Sequence, residues 1–323
     1  MIVGIQGIIK YMKAVQVNAY GGPEVLEFKE NISTPVPQKG QVLVEVHAVG
    51  LNPFDLKVLS GAYQKMIPLQ FPMTFGGDLA GIITELGEGV SDLKVGDQVF
   101  GSAITLKGGS GALAEFATAK AETIAPMPHL ADFSQAAALP VAGLTAVEAL
   151  ADQANLQKDQ KILIHGGAGG VGHFAIQYAK HLGAYVATTV RGRDADFVKG
   201  LGADEIIDYK TQAFAEILKD FDVVLDTIGG SVSDKSYQVL KKGGTLILLV
   251  SQVNEELAKT FGIKTIRQQT KTDSPQLKRL AELVDTGVIK IHIDRMFPLE
   301  QMKDAYTHLQ SGHPQGKVIV KIK

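Results

Sequence analysis

A short apolar strand that breaks into glycines and then into an amphipathic helix leaves a chain few choices of fold, and residues 161–180, KILIHGGAGGVGHFAIQYAK, have that form. Gly167, Gly169 and Gly172 fit G-x-G-x-x-G, with Ala168, Gly170 and Val171 between them. One such glycine permits a tight turn, one lets backbone approach a phosphate, and one lets the helix pack closely on the strand. The helix start adds unpaired N–H groups and the positive end of a dipole, so the hinge suits a dinucleotide pyrophosphate. A bare glycine pattern can be an ordinary turn; the strand before this one and the helical period after it give it meaning.

Beyond the hinge, strand and helix alternate. Residues 185–190, 205–207, 223–226, 245–250 and 263–267 read as strands, the last three as buried ones, and 195–201 and 213–219 as helices. Alternation of this kind builds a parallel sheet with helices on both faces. Ahead of the hinge, short strands at 13–17, 41–49, 79–86 and 98–100 are punctuated by glycine and proline, the pattern of a compact, mostly β unit. Residues 134–150 are alanine-rich with a helical period, and a helix near 276–285 and a strand at 317–322 close the chain. The fold class is α/β.

At 323 residues the chain suits two domains. A formal net charge of -2 provides no global field for nucleic acid or an anionic membrane, and no stretch approaches transmembrane length. Cysteine is absent, which excludes disulfides and thiolate chemistry and removes a frequent class of zinc ligand. A reducing, cytoplasmic compartment is the expectation. Residues 1–11, MIVGIQGIIKY, lack the basic start and small-residue cleavage site of a signal peptide and are expected to form an N-terminal extension.

Taken with the hinge, the segments MKAVQVNAYGGPEVLE, GLNPFDLKVLSGAY, LPVAGLTAVEAL, LGADEIIDY, FDVVLDTIGG and GKVIV resemble the medium-chain dehydrogenase/reductase superfamily. Within it they are similar to the zinc-independent quinone oxidoreductases of the zeta-crystallin-like group, in order from Met12 to the C-terminus. The resemblance implies a GroES-like, mostly β catalytic domain at 12–126 and 268–323. It implies a Rossmann doubly wound parallel-sheet domain at 127–267 that binds NADPH, with the catalytic cleft between the two. It also implies a homodimer, in which an edge strand near 263–267 pairs with its copy. Two departures separate this chain from zinc alcohol dehydrogenases: Asn52-Pro53-Phe54-Asp55 stands where they carry a catalytic cysteine, and Gly76-Gly77-Asp78 where they carry Gly-His-Glu. The eight histidines show no three-ligand motif, so no metal is expected.

NAD-specific Rossmann sites end the second strand with an acid about 20 residues after the glycines. Here the region reads Thr188-Thr189-Val190-Arg191-Gly192-Arg193, with no carboxylate at the strand tip. Arg191 and Arg193 offer planar forks to a 2′-phosphate. The family often has a serine and a lysine where this chain has Arg191 and Asp194, so the arginines must carry any NADPH preference; the alternative is two solvated loop arginines. By resemblance, Tyr209 lies near the same phosphate and ribose, Val250 and Ser251 offer backbone groups to the nicotinamide amide, and Thr145 sits beside its ring. Gly229, with Val250 and Ser251, falls at the carboxyl edge of the sheet, where ligands bind.

Without a metal Lewis acid, simple alcohol oxidation loses its main activation. A quinone or α,β-unsaturated carbonyl accepts hydride readily, provided donors meet the oxygen that gains charge. By resemblance Asn52 and Tyr63 line the substrate cleft, and Lys57 falls where relatives carry tyrosine or lysine. Asn52 would hydrogen-bond the carbonyl oxygen or the nicotinamide ribose, while Lys57 or Tyr63 would orient substrate or help deliver a proton. Asn-Pro also starts ordinary turns, and a lone tyrosine is more often packed than catalytic. The expected function is NADPH-dependent reduction of a quinone or enone. An activated-alkene (alkenal) reductase is the enzymatic alternative, and a non-catalytic NADPH-binding structural or sensor protein is the alternative of another class.

Overall fold

A parallel strand covered on both faces needs apolar side chains at every position, and Ile162-Leu163-Ile164 meets that need in a computed structural model that describes residues 10–66, 68–312 and 314–323. Ile162 and Ile164 pack with Phe174, Ala175 and Ile176 of the helix Gly172–His181, while Leu163 joins Phe214, Val224 and Tyr237 in a separate apolar cluster. Among the described residues six strands, all parallel, form this sheet. Their order is Glu205–Asp208, Tyr185–Val190, Lys161–His165, Phe221–Asp226, Leu240–Leu248, Lys264–Arg267. The direction of winding reverses between Lys161–His165 and Phe221–Asp226, and the hinge leaves the sheet at that switch point. This is the expected Rossmann arrangement.

A second sheet has, among the described residues, seven strands. Six run in the order Ile293–Pro298, Lys317–Lys321, Gln41–Gly50, Asp78–Leu86, Gln98–Ser102, Ile124–Pro126, and Phe116–Lys120 also pairs with Gln41–Gly50. Beside it Leu26–Ser33, Tyr11–Val17 and Met73–Thr74 form a three-stranded sheet, completing the GroES-like β unit. The C-terminal strand Lys317–Lys321 pairs antiparallel with Gln41–Gly50, Ile319 opposite Gly50, and Leu51 N donates to Val318 O at 3.0 Å. Lys317 is thereby carried beside Asn52.

Several elements differ from the sequence reading. The alanine-rich stretch is two α-helices and the start of a π-helical segment, Glu148–Gln153, because Phe133–Ala137 ends before Pro140 and Pro140–Val147 starts on that proline, where a missing N–H costs nothing. The strand Lys264–Arg267 has no fully buried side chain, since it is the outer edge of its sheet. Helices Ser231–Ser236 and Glu255–Phe261 were hidden by their short, polar sequences. Of the expected extension, residues 1–9 lie outside the described residues, and Tyr11 already belongs to the first strand.

The helix Gly172–His181 lies so close to the hinge that a Cβ on Gly172 would overlap the Gly166 carbonyl oxygen and come within 2.7 Å of Gly167 Cα. Gly172→Val is expected to cost at least about 2 kcal/mol, read as a lower Tm or as loss of soluble protein. Gly169→Ala, whose nearest neighbour would stand 3.4 Å away, should cost less than about 0.5 kcal/mol. Equal losses from the two would show that the helix does not depend on the close approach.

Candidate functional site

The turn of the hinge falls on Gly166, one residue before the pattern glycines: its φ is +71°, its N–H donates to Thr189 O at 3.0 Å, and its carbonyl accepts from Gly169 N at 3.0 Å. A Cβ on Gly167 would run into Thr188, and one on Gly172 into Gly166, so those two glycines serve packing. On Gly169 and Gly170 the nearest neighbours would stand at 3.4 and 3.2 Å, which leaves the Ala168–Gly170 backbone as the open side of the loop. Together with the N-terminal turn of a ten-residue helix, that side fits a pyrophosphate. Below it His165 is sealed in, with Nδ1 3.0 Å from Thr189 Oγ1 and Nε2 3.0 Å from Ser236 Oγ, and burial pushes its pKa down to about 4. Thr189 therefore stands under the turn with its hydroxyl engaged. His173 is likewise buried, and its pKa is pushed down to about 3.

At the next strand ends the residues expected to hold a cofactor gather in two groups. Arg191 Nε donates to Tyr209 Oη at 2.9 Å, and exposed Arg193 pairs with Asp194 at 3.8 Å. Gly229, Val250 and Ser251 meet at a turn organised by buried Asp226, which accepts from Gly229 N at 3.0 Å, while Ser251 Oγ accepts from Gly230 N at 2.9 Å. Thr145 lies on the helix Pro140–Val147 and is buried, its Oγ1 2.6 Å from Val141 O and 2.6 Å from Thr270 Oγ1. Two acids escaped the sequence reading: Asp226, and Asp208, whose Oδ2 would stand 2.7 Å from a Cβ on Gly192.

Asn52 caps the helix Pro53–Leu59 and is buried; its N–H donates to Asp55 Oδ2 at 2.9 Å, the capping-box geometry. Its side chain is held at both ends, Nδ2 donating to Asp78 Oδ2 at 2.8 Å and Oδ1 accepting from Lys317 Nζ at 2.6 Å. Lys317 Nζ also donates to Leu51 O at 2.9 Å, and Asp78 Oδ2 accepts from Val141 N at 3.1 Å, tying in the Thr145 helix. Lys57 follows on the same helix, half-buried, with its ammonium pKa lowered by desolvation and by Arg267. Tyr63 stacks on Phe54 with ring centroids 5.8 Å apart. The three expected catalytic residues thus share one helix and the loop after it. The sequence does not reveal Lys317 and Asp78 as site residues, although both lie in recognisable segments, GKVIV and Gly76-Gly77-Asp78, because nothing local shows that they meet.

Burial pushes Asp55 up to about 7, aided by the charge of Asp78 and opposed by Lys317, by the Asn52 N–H and by Tyr306, whose hydroxyl lies 3.4 Å from Asp55 Oδ2. Asp78 is also raised by burial, and Lys317 is lowered by it. A carboxyl whose folded pKa is raised stabilises the fold fully below its unfolded pKa, and that contribution is lost as pH rises to the folded value. Relative to Asp55→Asn, the wild-type chain is expected to lose stability between about pH 4 and about pH 7 and to change little above that. Denaturant unfolding across this range checks it; parallel curves for the two proteins would contradict the shift.

Family patterns for an alcohol dehydrogenase GroES-like domain and for a zinc-binding dehydrogenase match residues 38–129 and 201–320. The chloroplast envelope quinone oxidoreductase homolog of Arabidopsis thaliana is 35% identical over 97% of this chain and 99% of its own. The chloroplastic NADPH-dependent alkenal/one oxidoreductase of Arabidopsis thaliana is 36% identical over 97% of this chain and 80% of its own. The quinone oxidoreductase structure from Coxiella burnetii superposes with a TM-score of 0.90 at 35% identity, covering 97% of this chain and 100% of that one. With the hinge, the sheet order and the zinc-ligand positions already described, these likenesses mean that the chain belongs to the quinone oxidoreductase family of medium-chain dehydrogenases/reductases.

Proposed function

We propose that this chain uses NADPH to reduce a quinone or an α,β-unsaturated carbonyl, without zinc. The observation that carries this reading is the contact between the hinge and the floor of the other sheet. Gly316 N donates to Ala168 O at 2.8 Å, and Lys317 Cδ lies 3.2 Å from the place of a Cβ on Gly170. Hinge and Asn52 therefore belong to one site. Similarity to a quinone oxidoreductase homolog and to an NADPH-dependent alkenal/one oxidoreductase supports the same chemistry.

Bound NADPH supplies the hydride. The open backbone from Ala168 to Gly170 and the helix start at Val171 and Gly172 would hold the pyrophosphate, and Arg191, Arg193 and Tyr209 would take the 2′-phosphate. Thr145, Gly229, Val250 and Ser251 would orient the nicotinamide end. Asn52 donates a hydrogen bond to the acceptor carbonyl oxygen as it gains charge, and Lys57 or Tyr63 orients the acceptor and helps a proton follow. Support for the zinc-free reading, against the zinc-binding name of one matched pattern, comes from the lack of cysteine and from the lack, among the described residues, of three His, Asp or Glu side chains grouped to hold a metal.

The exposed Phe54 stacked on Tyr63, together with the alkenal/one relative, supports enones and alkenals as a second acceptor class. A non-catalytic NADPH binder would need the hinge alone. Our reading keeps the division into 12–126 with 268–323 and 127–267, supported by the pairing of Lys317–Lys321 with Gln41–Gly50. It keeps a homodimer joined through the half-exposed edge strand Lys264–Arg267, and a cytoplasmic location, which fractionation decides because some relatives are named as chloroplast or mitochondrial proteins.

Purified protein is expected to oxidise NADPH with members of a quinone, enone and alkenal panel, and to keep that activity after treatment with a chelator. Arg191→Ala should raise KM for NADPH about tenfold and leave KM for NADH unchanged. Tight NADPH binding with no turnover on any acceptor would identify the quiet binder. Equal efficiency with both nucleotides would remove the role given to the arginines.

A further inference from the structure

Lys317 is buried to 3% exposure, and a lysine there is costly unless its charge is used. Its ammonium reaches Asn52 Oδ1 and the Leu51 carbonyl, while Asn52 Nδ2 reaches Asp78 Oδ2. Lysine can only donate and an ionised carboxylate can only accept, so the Asn52 carboxamide has one allowed orientation: oxygen toward Lys317, nitrogen toward Asp78. That nitrogen carries two hydrogens, and Asp78 takes one. Resting on the reading of Asn52 given above, we propose that Lys317 is the positioning residue that makes Asn52 a hydrogen-bond donor to the acceptor oxygen, by forbidding the flipped amide that would present its own oxygen instead.

The backbone supports this role. Gly316 is bonded to Ala168 of the hinge, and Asp78 also accepts from Val141 N on the Thr145 helix, so the amide is oriented from elements of both sheets. A structural ion pair alone would not need the asparagine between its charges. Among the described residues Asp78 Oδ1 is buried without a hydrogen-bond partner, and its charge favours the ammonium form of Lys317, as does that of Asp55. Tyr306, which faces Asp55, supplies no charge of its own while protonated.

The test uses the NADP-loaded protein and two readouts. One is the single-turnover rate of NADPH oxidation with a saturating acceptor; the other is calorimetric affinity for para-nitrophenolate, an aromatic oxyanion that is not reduced in the titration with NADP⁺ bound. Lys317→Met is expected to lower both about tenfold or more, Lys317→Arg to regain most of the loss, and Lys317→Met added to Asn52→Ala to cost nothing further. If Lys317→Met does not fold, Lys317→Met/Asp78→Asn compared with Asp78→Asn carries the same comparison, with the buried cation and its anion removed together. Additive losses, or a loss confined to NADPH affinity, would overturn the role of Lys317 while leaving Asn52 as donor. Full activity in Asn52→Ala would remove the Asn52 reading and this one with it.

Discussion

No side chain stands between Gly172 and the carbonyl of Gly166, and the rest of the cofactor half is arranged around that bare contact. It lets the helix Gly172–His181 begin directly over the strand Lys161–His165, with Phe174, Ala175 and Ile176 reaching the apolar face that Ile162 and Ile164 present. Because the strand order reverses beside that same strand, the helix start opens onto the carboxyl edge of the sheet. The ends of the neighbouring strands follow along this edge, bringing Arg191 and Tyr209 to one side of the hinge and Gly229, Val250 and Ser251 to the other. Packing thus decides where a ligand can sit before any polar group is considered.

The polar junction under the hinge has a different economy. Asp55, Asp78 and Lys317 are all buried, and breaking a buried pair by removing one partner typically costs about 3–5 kcal/mol, although apolar residues in their place would often be as stable. Their presence is better explained by what they orient than by what they stabilise. Each polar group at the junction is bonded to an element that bears a site residue: the Asn52 cap, the helix of Thr145, or the hinge itself. Rigidity is obtained where the hinge and the Asn52 cap meet.

Much of this was legible in the sequence where the signal is local. The hinge and the alternating strands behind it announce themselves through glycines and periodicity, whereas the loop from Asn52 to Tyr63 stands out only through its resemblance to the family. Pro140 could have divided the alanine-rich stretch, since a proline prefers the first turn of a new helix to the interior of an old one. The turn at Gly166 escaped because it lies outside the three-glycine pattern, although the residue adjoins it. Lys317 and Asn52 are 265 residues apart, and only the strand pairing of Lys317–Lys321 with Gln41–Gly50 brings them together. A contact of that kind leaves no trace in composition or spacing.

The ribose loop shows how neighbouring strands alter a conclusion drawn along one strand. No acid ends the strand Tyr185–Val190, yet Asp208, at the end of the adjacent strand Glu205–Asp208, stands close enough to touch any side chain at position 192. Two guanidinium groups, on Arg191 and Arg193, therefore share the loop with two carboxylates, on Asp194 and Asp208, and their formal charges cancel. Discrimination between nucleotides must then come from orientation. Arg193 is exposed and lies against Asp194, which also accepts from Gln315 Nε2 at 3.2 Å, so its field is partly neutralised where it stands. Tyr209 holds Arg191 through Nε, which fixes the guanidinium plane, while Asp208 Oδ1 accepts from its own chain at Lys210 N, 3.0 Å away. The other oxygen of Asp208 would stand 2.7 Å from a Cβ at position 192, room that Gly192 leaves open. An acid thus stands beside this loop from the adjacent strand, and the absence of a carboxylate at the end of Tyr185–Val190 does not by itself describe the charge around Gly192.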